Sequence, residues 1–185
     1  MRRKITTGIL FIAALFFAGS ALAQSMEDGK KFLYYERFKS AKEVFQKLIA
    51  ADPNNEEAIY WLGIAELGLE DLKAAKALYQ ARLSAQPNSP LVLAGMGDIE
   101  LQEGKLQDAR SRFETAISLS QGKSIAVLNA VGFANARPNN KNGDANYAIE
   151  KLKQATTIKK FKDPEVYVNL GDAYRKLADG GNSVL

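Results

Sequence analysis

The sequence predicts an all-α fold, a right-handed superhelical solenoid of stacked α-α helix pairs, about four and a half repeats long. Three observations predict it. Gly29, Gly63 and Gly97 are each 34 residues apart, and so are Ala41, Ala75 and Ala109. The series Phe45, Tyr79, Phe113 and Phe38, Leu72, Leu106 keep the same period. Pro53 and Pro87 keep it too. A shared period near 34 residues marks helix–turn–helix units that stack in one dimension.

The chain opens on an address rather than on the repeats. Arg2-Arg3-Lys4 is a positive start, residues 9–17 are an apolar run, and Ala21-Leu22-Ala23 gives an A-x-A pattern before Gln24. This is the layout of a secretory signal peptide over residues 1–23, cut after Ala23. The apolar run is short for a membrane span of about 20 residues. The mature chain is therefore expected in a periplasm or outside the cell.

The helices follow in order. Residues 27–35 begin the first pair and 38–51 complete it, with Ala41, Val44, Phe45, Leu48 and Ile49 at helical spacing. Asp52-Pro53-Asn54-Asn55 stops that helix, because proline lacks the amide an interior position needs, and Asn suits the next N-cap. Residues 56–69 and 71–85 repeat the plan, and 90–103 with 105–120 form the third pair. Gly104 stands at the reversal, where a positive φ is expected. The fourth pair carries one extra residue near Gln121 and four more within 137–144, a loop; its second helix resumes at Tyr147 and Ala148. A fifth first-helix is expected over 164–177, with Gly180-Gly181-Asn182 as a turn and residues 183–185 as the start of a missing partner. The repeats thus fall at about 24–55, 56–89, 90–123 and 124–163, with a half repeat at 164–185. The open last face suggests further repeats beyond Leu185, or self-association through the uncapped end.

The ladder residues read as structural. Glycine or alanine suits the closest helix crossings, and the ring at Phe45, Tyr79 and Phe113 is expected to fill wider space one turn on. The pattern Leu62-Gly63 with Ala75, Tyr79 and Pro87, and Met96-Gly97 with Ala109, Phe113 and Ala116, resembles the tetratricopeptide repeat family. Leu170-Gly171-Asp172-Ala173-Tyr174 is similar to its first helix. The resemblance covers about residues 25–185. Glu66 and Glu100 depart from it where the family favours Tyr, Gln121 where Pro is usual, and Arg82 where a small residue is.

Composition narrows the chemistry. The chain has no cysteine and no histidine. Disulfides, thiolate nucleophiles, Cys/His zinc sites, His-based triads and a lipid anchor on an N-terminal cysteine all fall away. The formal charge is +4, but without Arg2, Arg3 and Lys4 the balance is 22 bases against 21 acids. That gives no electrostatic case for nucleic acid. Gly122-Lys123-Ser124 imitates a phosphate loop but lacks the upstream glycine, since Ile117 stands there. Asn140 to Asp144 imitates part of a calcium loop without the first and last acidic ligands, and reads as a solvated loop. Glu66 and Glu100 read as exposed edge residues.

The resemblance implies a groove lined by first helices. By helical phase its residues are Tyr60, Ile64 and Leu67, then Ala94, Asp98 and Leu101, then Asn129, Phe133 and Ala136, then Val168, Asp172 and Arg175. Most are apolar or acidic, which disfavours a C-terminal carboxylate ligand and favours an apolar peptide or helix. The expected function is a non-catalytic protein-binding scaffold, with no cofactor and no metal. Two alternatives are a component of an outer-membrane assembly or secretion complex, and an enzyme built on Glu66, Glu100 and Asp98.

Overall fold

The computed structural model describes residues 26–182. The expected signal peptide and residues 183–185 lie outside them. Among the described residues every regular element is a helix: α1 (26–34), α2 (Phe38–Ala51), α3 (Glu56–Gly68), α4 (Leu72–Ala85), α5 (Pro90–Gln102), α6 (Leu106–Leu119), α7 (Ile125–Ala136), α8 (Ala145–Thr156) and α9 (Pro164–Asn182). None is long and apolar enough to cross a membrane. They form an all-α helical repeat fold.

Helix ends follow local chemistry. The Asn55 side chain accepts from Ala58 N at 2.9 Å, Ser124 Oγ from Val127 N at 3.3 Å, and Asp144 Oδ1 from Tyr147 N at 3.0 Å. Each satisfies an orphan amide of a first turn. The turns inside the first three pairs also keep the 34-residue period. Glu36, Glu70 and Gly104 take φ of 54°, 60° and 76°. In each, the next amide reaches back five residues: Arg37 N to Phe32 O, Asp71 N to Glu66 O, and Lys105 N to Glu100 O. These are Schellman ends, which glycine fits without strain and glutamate adopts at a cost of about 1 kcal/mol. Gln121 has φ 55° in a fourth such end. Proline, locked near −65°, cannot stand there, which explains that departure from the pattern.

The described residues divide into two compact units, one ending at Asp71 and one beginning at Leu72. In the first, α2 packs on α3. In the second, α6 packs on α5 and α8 on α7, while α5, α7 and α9 lie side by side. The second helices bury one stripe each, such as Ala109, Phe113 and Ala116 in α6. First helices α3, α5 and α7 are apolar on nearly every side and buried accordingly.

In the first and third pairs the ladder glycine and the ladder ring turn out to be halves of one contact, while the Tyr79 ring lies against Gly95 of the following pair. A Cβ on Gly29 would lie 2.6 Å from the Phe45 ring, and one on Gly97 2.6 Å from the Phe113 ring. The ring therefore rests on the glycine of its own pair rather than in wider space a turn away. Gly132 meets Leu152 in the same way. The spacing there is 20 residues instead of 16, so the loop absorbs the four added residues and the contact survives.

One helix boundary differs from expectation. Gly180-Gly181-Asn182 is not a turn: α9 continues through it. A glycine inside a helix costs only about 1 kcal/mol, and among the described residues no second helix draws the chain back.

Candidate functional site

The expected groove residues divide by burial. In the first unit Tyr60 and Ile64 are buried, and Leu67 is half-buried. Tyr60 meets the neighbouring Trp61 ring edge-on. Trp61 Nε1 donates to Glu57, which also pairs with Lys30 at 2.9 Å. In the second unit Ala94, Asp98, Leu101, Asn129 and Ala136 are buried. Phe133 and Asp172 are half-buried, while Val168 and Arg175 are exposed. The described residues therefore do not present a continuous row of solvent-facing groove side chains. Surface remains at Leu67 in one unit, and at Phe133, Val168, Asp172 and Arg175 in the other.

The buried polar members are engaged with their own chain. Asp98 is 1% exposed, and Arg137 Nη2 bonds both of its carboxylate oxygens. Gln102 and Asn140 add bonds to the same carboxylate at 3.2 and 3.3 Å. The Arg137 guanidinium also lies 4.9 Å from the Phe133 ring centroid. From α9, Lys176 Nζ donates to the carbonyls of Arg137 and Asn140 at 3.2 and 2.5 Å. Burial pushes the Lys176 pKa down, and the nearby Arg137 charge adds to that. Asn142 donates to Leu101 O at 2.7 Å. The loop over 137–144 is thus no wholly solvated loop. It keeps Pro138, Asn139, Lys141 and Asn142 exposed, and buries Asn140 as a pin between α5 and α9. Asn169 of α9 donates to Asn129 of α7 at 2.8 Å, joining two first helices within the core.

Glu66 and Glu100 are buried rather than edge residues, and each has a base. Lys42 Nζ sits 2.8 Å from Glu66, and Arg112 Nε sits 3.0 Å from Glu100. With Asp98 held by Arg137, the three carboxylates considered for catalysis all lie in ion pairs. Beside Glu100, a cavity of about 600 Å³ opens between α4, α5 and α6. Its bases Lys76, Lys105 and Arg112 balance its acids Glu100, Glu103 and Asp108. Hydrogen bonds from Lys105 and then Lys76 hold the Glu103 carboxyl below its usual range.

The sequence pattern does not single out Arg137, Asn140 and Lys176 as partners. The one available signal is the four-residue insertion itself, since added length at a fixed contact must go somewhere.

Residues 32–99 match the family model described as tetratricopeptide repeat. No curated protein matches the chain. Among solved structures, it is similar to TTC0263, a thermophilic TPR protein of Thermus thermophilus. The identity is 19%, the coverage 84% of this chain and 82% of that one, and the TM-score 0.57. It is similar to the APC/C hetero-tetramer Cut9-Hcn1 at 20% identity and TM-score 0.53, over 84% of this chain but only 30% of that one. It is also similar to pilF of Pseudomonas aeruginosa, at 17% identity and TM-score 0.51, over 87% and 71%. The tetratricopeptide repeat model thus matches the first repeats, and the fold of tetratricopeptide repeat proteins runs along most of the chain.

Proposed function

We propose that the protein is a non-catalytic scaffold, exported across a membrane, that binds a peptide or helix of a partner protein along its first helices. Scaffolding between proteins is the general work of tetratricopeptide repeats. The observation that carries the finer reading is the side-by-side row α5, α7, α9, with Phe133, Val168 and Arg175 accessible at groove positions. A half-buried ring on α7 and an exposed valine on the adjoining α9 suit an apolar anchor, and the Asp172–Arg175 pair, 2.9 Å apart, supplies a polar rim. Export rests on the signal-peptide pattern of residues 1–23, and predicts a mature N-terminus at Gln24.

The test is affinity capture from envelope extract with the mature chain, scored by mass spectrometry. Replacing Phe133 with Ala and Val168 with Ser should reduce recovery of the main partner about tenfold, as loss of interface anchors does, with helicity unchanged. Equal recovery by the double variant overturns the groove. Retention of the partner complex in salt-washed membranes marks a fixed envelope assembly instead of a free scaffold.

A further inference from the structure

Helix α9 has a face that described residues touch only at its flanks: the Phe161 ring meets Tyr167 edge-on, and Lys153 Nζ lies 5.6 Å from the Tyr174 ring centroid. On that face Tyr167 and Tyr174 are 60% and 45% exposed. Tyr167, Gly171, Tyr174 and Ala178 stand four, three and four residues apart, on one uncharged stripe. A Cβ at Gly171 would meet nothing within 4 Å. The corresponding glycines Gly29, Gly97 and Gly132 are each covered by a large side chain of a second helix: Phe45, Phe113 and Leu152. Among the described residues, Gly171 is the same seat left empty.

We infer that a second copy of this chain fills it. Two α9 helices pair antiparallel about a two-fold axis, with Tyr174 of each copy resting on Gly171 of the other. The helix carries both halves of the contact, seat and ring, three residues apart on the same stripe. One axis therefore fills two seats at once, as an isologous interface requires. The same register sets Tyr167 opposite Ala178, a large residue against a small one. No charged residue of α9 stands on the stripe, and the Lys153 ammonium of α8 lies at its edge over the Tyr174 ring. Arg175 on the flank is already paired with Asp172 of its own helix. A single partner helix of another protein fills the seat at Gly171 but brings no matching seat for Tyr174. The contact is one helix pair, near the lower bound of about 1,000 Å² for a specific interface, so the dimer is weak and concentration-dependent.

Sedimentation velocity of the mature chain over a concentration series tests this. The expected result is a monomer–dimer equilibrium whose dissociation constant rises about tenfold or more in both Gly171→Glu and Tyr174→Ser, the cost of losing a central aromatic contact. Both positions are exposed, so circular dichroism should stay unchanged. If one variant loses helicity, the other decides. A chain that stays monomeric throughout overturns the inference. So does a dimer that both variants leave intact, because another surface then forms it. Because the chain has no cysteine, Gly171→Cys mixed with Tyr174→Cys adds a register check. Oxidation should yield the mixed dimer above the level given by either variant alone.

Discussion

The pairs α5/α6 and α7/α8 make the same contact from different lengths of chain. In the first, three residues join the helices and Phe113 covers Gly97. In the second, eight residues join them and Leu152 covers Gly132. The constant feature is the seat of a large side chain on a glycine, not the count of residues between them. The short turn satisfies its amides with a Schellman end at Gly104 and needs nothing further. The long loop has too many polar groups for that. It binds them to Asp98, Asn135 and Lys176, and so ties α5, α7 and α9 together.

That difference is most exposed to breakage at Asp98. Asp98→Ala strips the partner from a largely buried Arg137 and should cost about 3–5 kcal/mol of stability, read by urea denaturation. A loss under about 1 kcal/mol means the loop is held without the ion pair. The seats come next. Gly97→Ala and Gly132→Ala should each cost about 1–3 kcal/mol by overpacking. Gly171→Ala, measured where the chain is monomeric, should gain up to about 1 kcal/mol from helix propensity alone. Equal effects at the three glycines erase the distinction between filled and empty seats.

The smallest effect concerns pH and belongs to the second pair. Tyr147 Oη donates to Glu114 at 2.9 Å. Burial, then the Glu114 carboxylate, pushes the phenol pKa up from 10.0. Below about pH 10 the phenol keeps its proton in both folded and unfolded chains. Above it the unfolded chain ionises first, so stability falls as pH rises. Tyr147→Phe should remove that alkaline loss, seen as melting temperatures from pH 9 to about 11 that decline less than in the wild type. An identical decline shows that the phenol does not carry it.

Much of this was legible in the residues. The 34-residue period placed the helices from α2 to α6 to within a residue, because apolar spacing and Pro/Asn breaks are local signals. Gly104 announced its turn; Glu36 and Glu70, in the same conformation, did not, since nothing about a glutamate signals a positive φ. The insertion announced a loop, but not that Asn140 would be buried, because an Asn-rich run has the composition of a solvated one. The helical phase picked out Tyr60, Asp98 and Asn129 as sharing a face with Phe133 and Arg175. It could not say which of them keep any surface.

What the sequence by itself determined is the repeat: helix lengths, most turn positions, and the recurrence of small and of large residues at a shared interval. Each follows from contacts within a turn or a helix pair, where spacing along the chain sets spacing in space. Only the tertiary structure decided which seats are filled, which carboxylates are neutralised, and which groove residues remain accessible. Those depend on side chains from helices up to about 40 residues apart, as in the Asp98–Arg137 and Asn129–Asn169 contacts, and burial belongs to the packed assembly of helices rather than to any one of them.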